Sequence, residues 1–179
     1  MERLFVAIAV ADPIIQHLGM LAGGVPGAKW QTPDQIHLTL RFVGDVDGGV
    51  SEDVRGALSH IDFPAFDLAL EGVGHFGEGR RVRALWAGVR DNPALVALQS
   101  KVERAMVGIG LAPESRKYKP HVTVARMRQA NHDRVALFLA TQALFQTPPW
   151  HVAAFHLYSS QLSTKGSIYR IEDSYDLAP

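Results

Sequence analysis

Residues 37–40 read HLTL and residues 121–124 read HVTV, so a histidine and a threonine two positions apart occur twice in the chain. In each tetrad apolar residues fill the other positions, which is typical of a β-strand with one apolar and one polar face. Because side chains alternate across a strand, the histidine and the threonine of each tetrad share a face. The tetrads therefore predict two strands that each present an imidazole and a hydroxyl to one side.

The first tetrad lies in the longer alternating stretch IHLTLRFV, residues 36–43. Strict alternation places Arg41 on the face of His37 and Thr39, and Phe42 on the opposite, apolar face. If this polar face meets that of the second tetrad, one site would hold two imidazoles, two hydroxyls and Arg41. Two histidines can act as general acid and general base near neutral pH, and hydroxyls and an arginine can donate hydrogen bonds to phosphodiester oxygens. Such a site suits metal-free displacement at a phosphodiester.

The residues alone also allow the tetrads a purely structural role or a metal-binding one. Threonine favours strands and histidine is compatible with a half-exposed sheet face, so each tetrad could be an ordinary strand, or both could belong to a structural repeat. Two histidines could also bind zinc. A catalytic zinc site needs a third protein ligand, however, and no carboxylate recurs at a fixed spacing near either tetrad, so we expect no metal.

Composition limits the class of protein. Hydrophobic residues make up 47% of the 179 residues, and Lys+Arg and Asp+Glu are equal at 18 each. This balance disfavours the coating of duplex nucleic acid, so a nucleic-acid substrate would be held locally, at an end or a single linkage. The chain has no cysteine, which excludes disulfides, thiol nucleophiles and thiolate metal sites. The start, MERLFVAIAVADP, has a short apolar run and an early acid, and no segment approaches a membrane span, so we expect a cytoplasmic protein.

Hydrophobic periodicity and turn signals predict alternating strands and helices. The predicted helices cover 12–23, with Asp12 as N-cap, 51–60, 92–110 and 131–144. The predicted strands cover 2–10, 36–43, 66–76, 83–89, 121–125, 151–160 and 167–177, of which 66–76 and 83–89 form a hairpin. Each tetrad lies at a similar point of its half, a weak internal repeat. We therefore expect one domain, residues 1–179, of two halves, 1–90 and 91–179, with strands exchanged between them.

Five stretches carry a resemblance to a known family. In chain order they read RLFVAIAV, HLTLRFVGDV, ALWAGV, YKPHVTVAR and LYSSQLSTKGSIYRI, and they span almost the whole chain. With them the chain resembles the two-histidine phosphoesterases and, within these, the bacterial and archaeal RNA 2',3'-cyclic phosphodiesterases once described as 2'-5' RNA ligases. One departure is Val124, where the family often has leucine.

The resemblance implies the fold and the roles of individual residues. The fold would be α+β, two lobes related by a pseudo-twofold, with antiparallel sheets facing a central cleft and helices on the outer faces. His37 would be the proton donor, His121 the proton acceptor, Thr39 and Thr123 phosphate ligands, and Arg126 a phosphate or substrate contact. Strict alternation turns Arg126 away from the second tetrad's polar face, so this role requires a bulge or a strand end.

The resemblance also implies the activity. The protein would hydrolyse an RNA or nucleoside 2',3'-cyclic phosphate to a 2'-phosphate without a cofactor, with 2'-5' RNA ligation as a side activity. RNA ends or small cyclic nucleotides would bind in the central cleft of a monomer that contacts no membrane and requires no protein partner. The alternative is a non-catalytic RNA-end or nucleotide-binding protein of the same fold. Arg116, Lys117 and Lys119 fit either an RNA-end contact or a solvated loop.

Overall fold

The computed structural model describes all residues, 1–179, as four α-helices and ten β-strands. The helices are α1 (Asp12–Gly19), α2 (Gly48–Ser59), α3 (Pro93–Gly108) and α4 (His132–Thr141). The strands are β1 (Glu2–Ala9), β2 (Lys29–Trp30), β3 (His37–Val46), β4 (Phe66–Leu68), β5 (Leu70–Phe76), β6 (Ala84–Val89), β7 (His121–Arg126), β8 (Trp150–Val152), β9 (Ala154–Ser163) and β10 (Gly166–Asp176). None of the four helices combines the length and the apolar character that a membrane-spanning helix requires.

Two antiparallel sheets of four strands form the framework, with orders β10-β9-β1-β3 and β2-β7-β6-β5. Each sheet combines strands from early and late parts of the chain. The two tetrad strands, β3 and β7, belong to different sheets and contact each other where the sheets meet. A single apolar cluster of 33 buried residues extends through both sheets and the helices. The predicted α+β class is confirmed.

The helices follow the local signals closely, and α3 does so best. Asn92 caps it by accepting a hydrogen bond from the Leu95 N–H at 3.0 Å, and Pro93 occupies the first turn, where its missing N–H costs nothing. Its buried residues recur at helical spacing and face β3 and α2; they are Leu95, Leu98, Val102 and Met106. Two predicted starts are wrong: α2 begins earlier because Asp47 caps it, and Asp12 is the first residue of α1 rather than its N-cap.

Two predicted strands are each broken in two, because their ends pair with different partners. The predicted strand 66–76 divides at Ala69 into β4 and β5, and the predicted strand 151–160 divides at Ala153 into β8 and β9. β5 pairs with β6, as the predicted hairpin requires, whereas β4 and β8 form a separate two-stranded sheet. A pairing between segments so distant in sequence leaves no local signal.

Each tetrad strand contains a bulge at the same place. The pairing of β1 with β3 skips Leu40, and the pairing of β6 with β7 skips Val124, the fourth residue of each tetrad. A bulge sets two residues against one and reverses the facing of those that follow. From each histidine onward, six residues show the same exposure: half-buried, buried, half-buried, buried, buried, exposed. The sixth residues, Phe42 and Arg126, therefore return to the face that carries the histidines.

Candidate active site

The two tetrads line one cleft of about 500 Å³ at the junction of the sheets. His37 and Thr39 contribute to it from β3, and His121 and Thr123 from β7. Arg126 lies at the end of β7 and lines the same cleft, which is possible because the bulge turns it to this face. All five residues carried over from the resemblance thus meet at one place. The remaining wall comes from later residues of β3 and from β1, β9 and β10.

Both imidazoles are oriented in the same way by the main chain. Nδ1 of His37 lies 2.9 Å from the Gln35 carbonyl oxygen, and Nδ1 of His121 lies 2.6 Å from the Lys119 carbonyl oxygen. A carbonyl oxygen only accepts hydrogen bonds, so Nδ1 must carry the hydrogen in each ring. The neutral rings therefore have an unprotonated Nε2, which is the nitrogen left to react.

Burial disfavours the protonated, positively charged form of both histidines. It lowers the pKa of His37 from its ordinary value of 6.5 to about 4, and the charges of Arg126 and His121 act in the same direction. Burial also lowers the pKa of His121, assisted by Arg126 and Lys119. The hydrogen bonds to the carbonyls oppose these effects but are outweighed. In the ligand-free protein at neutral pH, both rings are therefore neutral.

Aromatic rings enclose His37 on the side of the first sheet. Its ring centroid lies 4.8 Å from that of Phe5 and 5.0 Å from that of Tyr169, which meets it edge-on. Tyr158 stacks on Phe5 at 5.0 Å and supports it from behind. These rings come from β1, β9 and β10, so the surroundings of His37 are assembled from both ends of the chain. The same rings cause the desolvation that lowers the pKa of His37.

A second aromatic group encloses His121. The Phe76 ring lies edge-on at 4.7 Å and the Trp86 ring at 6.0 Å from the imidazole. Trp86 lies across Gly74 of the neighbouring strand, where a Cβ would come within 2.2 Å of the indole. Glycine at position 74 is therefore needed for the indole to reach this position. The sequence indicates Trp86 only as an apolar strand residue, and its role beside His121 comes from the packing.

The prediction that Arg41 shares the face of His37 is wrong. The bulge at Leu40 turns Arg41 inward, where only 9% of its surface is exposed. Its guanidinium forms an ion pair with Glu103 of α3 and donates hydrogen bonds to the Phe42 carbonyl at 2.6 Å and the Ala112 carbonyl at 2.5 Å. With these donors engaged, Arg41 stabilises the structure between β3 and α3 and contributes no phosphate contact.

The same bulge overturns the expectation for Phe42. Alternation assigns it to the apolar face, but its side chain is 59% exposed and lines the cleft. Sequence reasoning also missed Tyr169, Ser160 and Ser167, which approach the cleft from β9 and β10. The stretch LYSSQLSTKGSIYRI contains all three and belongs to the family resemblance, which is the signal that could have identified them.

The donor groups near the histidines do not form a metal site. Nowhere in the structure do three or more His, Cys, Asp or Glu side chains come together in a way that could hold a metal ion. Asp45 also lines the cleft, but its carboxylate accepts two hydrogen bonds from Arg3, at 3.0 and 3.1 Å. That carboxylate is therefore engaged away from the imidazoles.

Two tetrads that meet in one cleft of an α+β fold define a two-histidine phosphoesterase. A model of the 2'-5' RNA ligase superfamily matches residues 11–164, and the chain belongs to that superfamily. The family recognised from the sequence is thus confirmed.

Its relatives include proteins from archaea and bacteria that carry one name, RNA 2',3'-cyclic phosphodiesterase. The Archaeoglobus fulgidus protein is 31% identical over 94% of this chain and 96% of its own. The Aeropyrum pernix protein is 32% identical over 82% of this chain and 84% of its own. The Thermotoga maritima protein is 31% identical over 94% of this chain and 92% of its own.

Solved structures share the fold at lower sequence identity. The Escherichia coli LigT protein in complex with 3'-AMP superposes with a TM-score of 0.78 at 22% identity, over 99% of both chains. The TT0787 protein of Thermus thermophilus gives a TM-score of 0.80 at 22% identity, over 97% of both chains. These likenesses agree with the antiparallel two-sheet architecture.

Proposed function

We propose that this protein hydrolyses 2',3'-cyclic phosphates of RNA ends or nucleosides to 2'-phosphates, with His37 as general acid and His121 as general base. The observation that carries the proposal is the matched pair of imidazoles in one cleft, each held by a main-chain carbonyl so that Nε2 remains to react. The shared name of the relatives supports the choice of a cyclic phosphate as substrate.

The reaction needs one proton removed and one supplied on opposite sides of phosphorus. His121 Nε2 takes a proton from water as the water oxygen bonds to phosphorus. The bond from phosphorus to the 3'-oxygen breaks, and that oxygen takes the proton from Nε2 of a protonated His37. The bond to the 2'-oxygen stays intact, which gives a 2'-phosphate. Exchange with solvent then restores both histidines. A 5'-hydroxyl in place of water would give a 2'-5' linkage by the same steps.

The proposed roles of Thr39, Thr123 and Arg126 concern the non-bridging oxygens. Their negative charge is poorly solvated in a cleft walled by aromatic rings, so preorganised donors are worth more there than in water. Two hydroxyls and a guanidinium from the walls of one cleft can hold the phosphate between the imidazoles. This fixes the attacking water, phosphorus and leaving oxygen in line.

The lowered pKa values of the histidines are compatible with His37 as general acid and His121 as general base once the substrate is bound. In the ligand-free protein His121 is already a neutral base, but His37 lacks the proton that a general acid needs. A phosphate anion in the cleft raises the pKa of both rings, because an opposite charge favours the protonated form. The protein should therefore take up a proton with its substrate, and kcat should have its optimum at a higher pH than kcat/KM.

The reaction as proposed uses no metal ion. The two imidazoles have no third ligand beside them, and Asp45 is engaged by Arg3. A zinc ion would also occupy the Nε2 atoms that the acid–base steps require. A purely binding role is the alternative, but it would need the phosphate donors and not two imidazoles with available Nε2 atoms.

The test is the hydrolysis of adenosine 2',3'-cyclic phosphate in the presence of excess EDTA. We expect 2'-AMP as the product, at a rate unchanged by the chelator and strongly reduced in both His37→Ala and His121→Ala. Three outcomes would contradict the proposal: 3'-AMP as the product, loss of activity in EDTA that divalent metal restores, or binding of 2'-AMP without turnover of the cyclic substrate.

A further inference from the structure

The cleft continues past the tetrads into a second groove of about 390 Å³. The two spaces share five residues, Thr39, Phe42, His121, Thr123 and Arg126, so a bound molecule can pass from one into the other. We call this second space the basic groove, after the four cations along it other than Arg126 and the buried Arg41, which is ion-paired with Glu103. They are Arg83, Arg116, Lys117 and Lys119.

The cations of the basic groove are not neutralised within the protein. None of the four, nor Arg126, takes part in an ion pair; the ion pairs of the chain involve other residues. The nearest acid in the lining is Glu114, which accepts a hydrogen bond from the Arg116 main-chain N–H at 3.1 Å. In a chain with zero formal net charge, this local excess of positive charge is a property of the groove.

The loop that carries three of these cations is fixed to the body of the protein. The Tyr118 hydroxyl donates a hydrogen bond to the Thr39 carbonyl at 2.9 Å, which ties the loop directly to the first tetrad. Glu103 accepts a hydrogen bond from the Glu114 main-chain N–H at 2.8 Å, and Arg41 bonds the Ala112 carbonyl. These anchors place the basic side chains beside the active site, which favours a ligand contact over a solvated loop.

The opposite end of the cleft offers no comparable charge. Arg3 lies there but is paired with Asp45 at 3.0 Å, and Ser160, Ser167 and Tyr169 are neutral. Among the residues that line the two spaces, unpaired positive charge is therefore concentrated along the basic groove. A phosphodiester strand leaves the cyclic nucleotide through its 5'-oxygen, so its preceding phosphates need a basic surface continuous with the reaction site, and the groove provides one.

We propose that the basic groove binds the phosphate backbone of the RNA strand that precedes the cyclic end, so that oligonucleotide ends are preferred to mononucleotides. The inference rests on the proposed function, whose substrate class it narrows. Contacts from lysine and arginine to phosphates depend on charge and read no base, so the preference should depend on strand length and salt and not on sequence.

The experiment compares kcat/KM for adenosine 2',3'-cyclic phosphate with that for a pentaribonucleotide ending in the same cyclic adenosine. We expect the wild-type protein to favour the pentanucleotide by about tenfold or more at low salt, with a preference that falls steeply as salt rises. In Arg116→Glu/Lys117→Glu the pentanucleotide-to-mononucleotide ratio should fall by about tenfold. The neutral double variant, Arg116→Ala/Lys117→Ala, should give a smaller fall and guards against misfolding caused by the added acids.

Arg134→Glu is the matched control, because Arg134 is exposed on α4 and lines neither the cleft nor the groove. Its ratio should equal that of the wild type. A wild-type ratio near one, or an equal loss on both substrates in the Arg116 and Lys117 variants, would overturn the inference, since the groove would then not contact the strand.

A binding measurement separates this inference from the proposed function. Fluorescence anisotropy with a labelled pentaribonucleotide ending in a 2'-phosphate needs no turnover. If the protein turns over neither cyclic substrate, the proposed function fails. The groove is then judged by binding alone. About tenfold weaker binding in Arg116→Glu/Lys117→Glu, with Arg134→Glu unchanged, supports it, and equal binding by all three proteins overturns it.

Discussion

The two tetrad strands, β3 and β7, have the same backbone design in different surroundings. In both, the histidine bonds a carbonyl two residues earlier, and a bulge at the fourth tetrad residue turns the sixth residue into the cleft. That sixth residue is Phe42 in β3 and Arg126 in β7. Aromatic rings enclose both imidazoles and the charge of Arg126 lowers the pKa of both, whereas the charge of Lys119 acts on His121 alone.

The same backbone arrangement thus holds two histidines in different chemical environments. Acid and base roles require different surroundings for two otherwise identical groups, and enzymes set these through burial and neighbouring charge. Here the backbone fixes the orientation of both rings, while the residues around them come from separate parts of the chain. Matched substitutions in the two halves should therefore have equal effects where only the backbone matters and unequal effects where the neighbours differ.

The largest expected effect follows from removing either imidazole. His37→Ala and His121→Ala should each lower kcat on a cyclic nucleotide by about 10²- to 10⁴-fold, because each removes one proton-transfer step. The double variant should lose much less than the product of the single losses, since the pair acts as a unit. Steady-state kinetics measures this, with circular dichroism to confirm folding. Additive losses, or one dispensable histidine, would contradict a shared mechanism.

A substrate with an acidic 3'-leaving group distinguishes the role of His37 from that of His121, and it serves as the control. Such a group departs without a proton, so His37→Ala should recover much of its lost rate and His121→Ala should not. Rescue of His121→Ala instead would reverse the assignment of acid and base.

The next effect concerns stability and pH. The folded protein holds the pKa of His37 at about 4, below its ordinary value of 6.5, so between these values the unfolded chain binds the proton more readily. The contribution of His37 to stability is therefore complete above about pH 6.5 and is lost as pH falls toward 4, by up to about 1.4 kcal/mol per pH unit.

Urea unfolding at a series of pH values between 4.5 and 7.5 measures this loss. His37→Gln should reduce the slope of unfolding free energy against pH in this range. His121→Gln should reduce this slope less, because the hydrogen bond of His121 to the main chain is more exposed to solvent than that of His37. Equal slopes in the wild type and His37→Gln would show that the surroundings of His37 do not disfavour its charge.

A smaller effect is expected at Phe42 and Arg126, the sixth residues counted from each tetrad histidine. Arg126→Ala should lower kcat/KM by about tenfold to a hundredfold, the scale of a lost hydrogen bond to a charged group. Phe42→Ala, the matched change in β3, removes no charge and should cost less. Arg126→Lys should restore part of the loss if charge matters more than the guanidinium shape. A larger loss in Phe42→Ala than in Arg126→Ala would reverse the proposed difference between the halves.

The smallest effects are expected at the two hydroxyls, where the halves should behave alike. Thr39→Val and Thr123→Val keep the shape of the side chain and remove one hydrogen bond, so each should cost about two- to tenfold in kcat/KM. Kinetics on a cyclic mononucleotide measures both. Wild-type values in both variants would exclude the threonines as phosphate ligands.

The features that depend on near neighbours in the chain could be predicted from the amino-acid sequence. The spacing of His37 and Thr39, and of His121 and Thr123, guarantees a shared face because no bulge interrupts the first three residues of either tetrad. The helix α3 was predictable for the same reason: its cap, its first-turn proline and its apolar spacing are all local. The family resemblance adds that both tetrads belong to one site.

The orientations of Arg41, Phe42 and Arg126 depend on strand pairing and could not be predicted from the local pattern. Alternation has a period of two, and a bulge at Leu40 or Val124 reverses it for the residues that follow, up to the next register shift, which in β3 occurs at Val43. Whether a strand bulges depends on its pairing with a partner, and the partner of β3 is β1, at the start of the chain. The aromatic rings around each imidazole are likewise set by packing between distant strands. Local pattern thus supplied the reactive groups, and pairing between strands decided which of their neighbours join them.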